Sequence, residues 1–107
     1  MALTFTKVRH DVTTAGRLHV YDVTFDNSYQ ANGEPVTAAN FGLRGSIQAV
    51  YPSFNGATAA NNRIITWDST NGVLHVWTAL GTEATGASDQ SAVTARCIVY
   101  GDNVSGR

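Results

Sequence analysis

Three histidines have the broadest chemical repertoire in this chain, because imidazole binds metals when neutral and changes charge near neutral pH. His10 is followed by Asp11, His19 lies shortly before Asp22, and His75 stands far along the chain. These positions match no zinc-ligand spacing, and no Cys/His pair does so either. We therefore expect ordinary strand histidines and no bound metal.

Ser28, His19 and Asp26 are of the residue types that form a hydrolytic triad. The serine has neither the flanking glycines nor the strand-to-helix turn that exposes a catalytic nucleophile. A glycine-rich phosphate loop between a strand and a helix is also missing from the sequence. The sequence therefore predicts a protein that is not an enzyme and that needs no cofactor. A small enzyme stays open as a third interpretation, and a catalytic group would then be sought at His19, His75 or Asp22.

Two carboxylates, Asp26 and Glu34, bracket the Asn32-Gly33 turn. A pair of carboxylates in one loop could bind calcium or act on a glycosidic bond. The ligand ladder of a calcium-binding EF-hand is missing, so we expect the two residues to keep the loop soluble and to cap its turns.

Four aromatic residues could form a flat platform for stacking on sugar rings: Trp67, Trp77, Tyr51 and Tyr100. Aromatic residues on small sheets more often belong to the core or to a protein interface. A glycan-binding surface therefore stays open as the less favoured interpretation. The single cysteine, Cys97, cannot close an intrachain disulfide and is expected to pack in the core.

Alternation of apolar and polar residues predicts strands along most of the chain, with turn residues between them. The predicted strands cover residues 3–9, 17–25, 46–51, 63–67, 73–77 and 91–100, and one helical turn covers 37–42, with Thr37 as its cap and Gly42 at its end. Loops are expected over 26–35, 52–62 and 80–89. The pattern predicts an all-β fold, a small antiparallel sandwich or barrel (jelly-roll-like) of about six to eight strands.

Length and charge limit the possible functions. The 107 residues suit a single β domain over 1–107, with a frayed tail from about residue 101. Seven Lys and Arg residues against eight Asp and Glu residues give a net charge of -1, which argues against binding to a nucleic-acid duplex. No run approaches the ~18 apolar residues of a membrane span, and the amino terminus lacks the pattern of a secretion signal.

A β-hairpin is predicted around Asn71-Gly72, since Asn-Gly favours the positive φ angles of a tight turn. With Trp67 opposite Val73, both faces of the hairpin are apolar. The expected pairs are Trp67 with Val73, Ile65 with His75, and Arg63 with Trp77 on one face, and Ile64 with Val76 and Thr66 with Leu74 on the other. Such a hairpin needs cover from a loop, a ligand or another subunit. Cover by the chain's own long loops and cover by another subunit both stay open, and in the second case we expect self-association through Ile65, Trp67, Val73 and Trp77.

The segments 21–29 (YDVTFDNSY) and 32–43 (NGEPVTAANFGL) together resemble a pattern found in small virion proteins of tailed bacteriophages. In those chains a strand ending in Asp-Ser-Ser-Tyr precedes a Gly-Gly-Glu loop, a Leu-Thr-Ala-Ala turn and Gly-Leu. The matching part covers about a fifth of this chain. This sequence departs from the pattern at residues 30–32, where Pro and a second Gly are usual.

The resemblance implies a head decoration (capsid cement) protein that binds the outer surface of a phage capsid and stabilises the shell. Its partners would be the major capsid protein and its own copies, with a trimer favoured, and it would be made in the host cytoplasm and located on the virion. The capsid contacts expected from this resemblance are Phe5, Tyr29, Glu34 and Phe41. The alternative is a β-sandwich carbohydrate- or receptor-binding module of a phage fibre or tail.

Overall fold

The computed structural model describes residues 3–12, 16–43, 45–54, 63–79 and 81–101. These segments contain eight strands: β1 Thr4–Val12, β2 Arg17–Thr24, β3 Glu34–Pro35, β4 Ile47–Phe54, β5 Ile64–Asp68, β6 Val73–Ala79, β7 Thr82–Glu83 and β8 Thr94–Gly101. One 3₁₀ turn, Ala38–Phe41, is the sole helical element of the described segments, and none of their helices could cross a membrane. The prediction of an all-β fold is confirmed.

The strands form two antiparallel sheets that pack face to face. The first sheet has the order β1-β2-β8-β4, and the second has the order β3-β6-β5 with β7 paired to β6. Strand β8, near the end of the chain, lies between β2 and β4. The three predicted loops contain strand residues: 26–35 includes the whole of β3, 52–62 includes the end of β4, and 80–89 includes the whole of β7. Residues 55–62, Leu80 and the tail beyond Gly101 lie outside the described residues.

Both edges of the first sheet carry features that discourage pairing with a further strand. At one edge, β1 has an irregularity between Lys7 and Arg9, where the register to β2 shifts. At the other edge, β4 contains Pro52 opposite Cys97 of β8. Proline has no N–H to donate and is tolerated in sheets chiefly at such edges. A partner of this sheet therefore has better access to its open face than to its edges.

The core lies between the two sheets and follows from alternation along each strand. The side chains of His19, Tyr21 and Val23 in strand β2 point inward. Strand β8 contributes Ala95, Cys97 and Val99, each with 0% exposure. The core also contains Ile65, Leu74 and Val76 from the second sheet. Burial raises the pKa of the Cys97 thiol to about 12, so the predicted packing role of this cysteine is confirmed.

The predicted helical turn at 37–42 is confirmed, and it carries a large side chain into the core. The Thr37 N–H donates to Asn40 Oδ1 at 2.8 Å, and Gly42 ends the turn with φ at +71°. Between them, Phe41 is completely buried. Its ring meets the edges of Phe5 and Tyr21 at centroid distances of 5.4 Å and 5.8 Å.

The hairpin of β5 and β6 is confirmed, but its predicted register was wrong by one residue. Val73 pairs with Asp68 instead of Trp67. The Asp68 carboxylate accepts the N–H groups of Thr70 and Asn71 at 3.0 Å and 3.2 Å, and the Asp68 carbonyl accepts the Gly72 N–H at 2.9 Å. These bonds make Asp68 the last strand residue, so the turn has one residue fewer than the sequence suggested.

The shifted register changes which residues share a face. Ile65 and Trp67 now belong to the inner face, where Ile65 is buried and Trp67 packs partly buried against the core. Val73 and Trp77 lie on the outer face. The four residues predicted for self-association therefore do not form one surface, and that grouping was wrong.

Glycine is required at position 33, and this gives a test of the packing. Gly33 has φ at +107°, and a Cβ there would lie 2.7 Å from Val73 Cγ2. We expect Gly33→Ala to lower the free energy of unfolding by about 1 kcal/mol for the backbone angle and by a further ~1–3 kcal/mol for the overlap. Urea denaturation measures the loss.

The matched control is Gly81→Ala. Gly81 has φ at +78°, but no described atom lies within 4 Å of its added Cβ. This variant should lose only the backbone part, about 1 kcal/mol. Equal losses in the two variants would contradict the close packing of residue 33 on β6.

Candidate binding surfaces

The two histidines of the first sheet are structural neighbours. His10 and His19 pair across β1 and β2, and their rings stack at a centroid distance of 3.7 Å. The His19 Nδ1–H donates to the Phe41 carbonyl at 2.6 Å, and His10 Nε2 lies 3.2 Å from the Tyr21 hydroxyl. Burial, followed by the nearby charge of His19, lowers the pKa of His10. The stacked rings connect β1 to β2, and the hydrogen bond of His19 connects the 3₁₀ turn to β2.

The triad considered from the sequence is not assembled. Asp26 follows His19 by seven residues along and just beyond β2, which corresponds to roughly 20 Å at the usual rise of a strand. The Asp26 carboxylate instead accepts the backbone N–H of Ser28 at 3.0 Å. Serine and aspartate therefore form a local turn.

Asp26 and Glu34 are buried, so the expectation that they serve as solubilising loop residues was wrong. Their expected role in capping turns is confirmed, since Glu34 accepts the Gln30 N–H at 2.9 Å while Asp26 accepts that of Ser28. Burial raises the pKa of Glu34. The loop is thus anchored by its acidic side chains to its own backbone.

A chain of hydrogen bonds, which we call the acid–histidine network, joins Tyr29, Asp68, His75 and Glu83. The Tyr29 hydroxyl donates to Glu83 Oε2 at 2.6 Å and accepts the Val76 N–H at 3.0 Å. His75 lies between the carboxylates, with Nδ1 at 2.7 Å from Glu83 and Nε2 at 3.3 Å from Asp68. The network thereby connects the 26–33 loop, the hairpin turn and β7 to β6.

Both ring nitrogens of His75 face acceptors, so the ring satisfies both carboxylates only when it is protonated. Burial opposes the charge, but the hydrogen bonds to Glu83 and Asp68 raise the pKa of His75 above 6.5. Burial likewise opposes ionisation of Glu83, but hydrogen bonds from His75 and Tyr29 lower its pKa below 4.5. The hydrogen bonds of the network therefore favour the imidazolium form of His75 and the carboxylate form of Glu83.

Beside this network, the outer face of the second sheet carries an open apolar groove, which we call the hairpin groove. It is lined by Ile64, Thr66, Trp77, Ala79 and Gly81 and has a volume of about 190 Å³. The Trp77 indole N–H donates to the Thr66 hydroxyl at 2.8 Å, which fixes the ring as one wall. Ile64, across the hairpin from Trp77, is 41% exposed. The groove has room for one or two apolar side chains of a partner.

The opposite side of the sandwich carries a second apolar surface, which we call the four-stranded face. It consists of the central outward residues of the first sheet: Leu18, Val20, Ala49, Tyr51, Ile98 and Tyr100. Tyr51 and Ile98 are cross-strand neighbours with 65% and 40% exposure. Two residues further along the same strands, Arg96 donates to both carboxylate oxygens of Asp22 at 2.8 Å and 2.9 Å.

The four residues expected to touch a capsid do not form a surface. Tyr29, Glu34 and Phe41 are buried, and Phe5 packs partly buried against Phe41. The reason is that Tyr29 and Glu34 bond to Glu83 and to the loop backbone, while Phe41 fills the core. These side chains shape the fold from inside, and the expectation that they are exposed was wrong.

Sequence reasoning missed the four-stranded face as a unit. The sequence does contain a pattern that indicates this face. In β8 the outward positions between buried residues are the apolar Ile98 and Tyr100, and in β2 they are the apolar Leu18 and Val20. The missing information was the pairing of β8 with both β2 and β4, which joins residues far apart in the chain. Local patterns do not specify such long-range neighbours.

Within the described ranges, no group of three or more His, Cys, Asp and Glu side chains is placed to hold a metal ion. The comparisons with known proteins find no matching family model, no matching curated protein and no matching solved structure.

The acid–histidine network predicts a bell-shaped contribution to stability. His75 has a raised pKa, so its contribution is complete below pH 6.5 and is lost as pH rises through the folded value. Glu83 has a lowered pKa, so its contribution is present above pH 4.5 and is lost as pH falls through the folded value. We expect His75→Gln to lower the free energy of unfolding by about 1 kcal/mol between pH 4.5 and pH 6.5. The loss should be smaller at lower and at higher pH.

Urea unfolding of wild type and variant across pH measures this difference. The control is His10→Gln, because the lowered pKa of His10 gives the reverse trend. Its contribution is present above pH 6.5 and is lost as pH falls through the folded value. A His75→Gln difference that does not change with pH would show that the imidazolium form has no part in the network.

Proposed function

We propose that this chain is a structural virion protein that binds the outer surface of a phage capsid as a decoration protein and stabilises the shell. The observation that carries the proposal is the pair of apolar surfaces on opposite sides of one sandwich. A cement protein has to hold the shell and a neighbour at once, and two opposed patches suit that task. The sequence resemblance to small phage virion proteins supports the same role.

In this proposal the hairpin groove is the capsid contact. It is concave, it is apolar, and its wall residue Trp77 is held rigid by Thr66. Rigid aromatic walls around a small pocket are typical of the points that contribute most to protein binding. An apolar side chain presented by a shell subunit would displace water from the groove, with a favourable free energy of about 25 cal/mol per Å² of apolar surface covered.

The polar side chains of the sandwich support a binding role over a catalytic one. The acid–histidine network, the stacked pair His10 and His19, and the buried carboxylates Asp26 and Glu34 bond to one another or to the backbone. An active site would instead direct such groups toward a cleft where a substrate could reach them. The hairpin groove is walled almost entirely by apolar side chains.

The alternative function, a carbohydrate- or receptor-binding module, requires polar side chains beside an exposed aromatic ring. Among the residues that line the hairpin groove, the side-chain polar groups are the Thr66 hydroxyl and the Trp77 indole N–H, and these two groups already bond to each other. Sugar hydroxyls would lose water there without replacing those hydrogen bonds. The groove therefore favours an apolar protein surface as its partner.

The copy number in purified particles tests the proposal. A decoration protein should be present at a ratio near one copy per major shell subunit, measured by quantitative mass spectrometry. A few copies per particle would indicate a vertex or tail protein. Absence from particles would reject a virion role altogether.

A substitution in the hairpin groove tests the proposed contact. We expect Ile64→Lys to weaken binding to shells that lack this protein by about tenfold or more, because it places a charge in an apolar contact. Co-sedimentation with purified shells measures binding. Val8→Lys is the control, since Val8 is 45% exposed on the edge strand β1, outside the groove. Equal weakening by both substitutions would contradict the assignment of the groove.

A further inference from the structure

We propose that the four-stranded face binds the same face of a second copy of this chain, about a two-fold axis that runs parallel to the strands between β2 and β8. The inference rests on the proposed function in one respect, because it names the partner for the self-association expected of a decoration protein. The evidence for it is the arrangement of residues on the first sheet.

The outward residues of this sheet form three rows that cross the strands. One row contains Leu18, Tyr100 and Ala49, the next Val20, Ile98 and Tyr51, and the third Asp22, Arg96 and Ser53. Two rows are apolar, and the third is polar and contains the Asp22–Arg96 ion pair. On β1 the two apolar rows end in an exposed ion pair: Arg9 lies beside Val20 and donates its Nε–H at 2.8 Å to Asp11, which lies beside Leu18.

An axis along the strands places each row opposite the same row of the other copy and exchanges β2 with β8. Asp22 of one copy then faces Arg96 of the other, and Arg96 faces Asp22, so the four charges alternate around the axis. Val20 faces Ile98 in the same way. At the flanks, Tyr51 of β4 meets Arg9 of β1, an arrangement suited to a cation–π contact. The face is therefore complementary to itself, as a two-fold interface requires.

A two-fold axis across the strands gives a worse match. If this axis passes through the middle row with Val20 and Ile98, it places the row with Asp22 and Arg96 opposite the apolar row with Leu18 and Tyr100. The ion pair would then be buried against hydrocarbon without new partners, which is unfavourable. The charge pattern thus selects the axis along the strands.

The size of the face also suits a dimer. Eight-residue strands are roughly 26 Å long and four strands are roughly 19 Å wide, which gives a projected area of roughly 500 Å². Covering it on both copies removes on the order of 1,000 Å² or more of accessible surface, near the lower limit of specific interfaces. We expect a reversible dimer that dissociates on dilution through the micromolar range. Both edges of the first sheet discourage the addition of another strand, so this sheet associates more readily through its open face.

Analytical ultracentrifugation of the full chain tests the dimer, with a wild-type mass of twice 11.4 kDa expected at the highest concentrations. Ile98→Lys should raise the dissociation constant by about 100-fold or more, since it buries an unpaired ammonium. The matched control is Ile64→Lys, because Ile64 and Ile98 have nearly equal exposure, 41% and 40%, on opposite sheets. This control should dimerise like the wild type. A wild-type monomer at every concentration, a trimer, or dissociation by Ile64→Lys alone would overturn the proposal.

A charge-reversal pair tests the direction of the axis. Asp22→Arg alone places like charges opposite one another, and so does Arg96→Asp, so each variant should dimerise at least about tenfold more weakly than wild type. An equimolar mixture should form a heterodimer, because one chain then carries arginine at both positions and faces a chain that carries aspartate at both. Loss of the exposed intrachain ion pair has little effect on folding. A mixture that stays as monomeric as its components would contradict the proposed axis.

These measurements use the purified chain without capsids. The proposal of a dimer and the proposal of a capsid role can therefore be contradicted independently. A dimer that is absent from particles would overturn the decoration role, and a monomer bound to shells would overturn the dimer.

Discussion

Strand alternation decides both how the core of this protein is filled and which residues form its surfaces. In each strand, successive side chains point to opposite faces, so the pairing register decides at once which residues fill the core and which form a surface. In β8, Ala95, Cys97 and Val99 are fully buried, and for the same reason Ile98 must face outward. The apolar surfaces of this protein are therefore a direct consequence of how its core is built.

The loop between β2 and β3 shows how polar groups extend this packing beyond the strands. Tyr29 is buried because its hydroxyl satisfies both the Val76 N–H and the Glu83 carboxylate, and His75 links that carboxylate to Asp68. A buried hydroxyl without such partners would cost free energy. Within the described part of the chain, every buried side-chain nitrogen or oxygen has a hydrogen-bond partner. The loop is accordingly a fixed part of the sandwich, although its composition resembles that of a solvent-exposed segment.

This contrast explains which features could be predicted from the sequence. The six longer strands, the hairpin, the capped turn before Gly42 and the packing of Cys97 follow from local patterns, whereas the two-residue strands β3 and β7 lie in segments that the sequence predicts as loops. The hairpin register depended on Asp68, whose backbone and side chain close the turn, and alternation alone does not reveal that role. The buried positions of Tyr29 and Phe41, and the surface made by Tyr51 with Ile98, depend on contacts between distant segments. No local pattern encodes such contacts.

We have proposed that one apolar surface of the sandwich binds the capsid and that the opposite one binds a second copy. A cryo-electron microscopy map of purified particles tests this most directly. It should show pairs of sandwiches on the outer surface of the shell, joined through their four-stranded faces, with the hairpin groove of at least one copy in each pair against a shell subunit. Shells without this density, or a groove that faces solvent on every bound copy, would contradict the account.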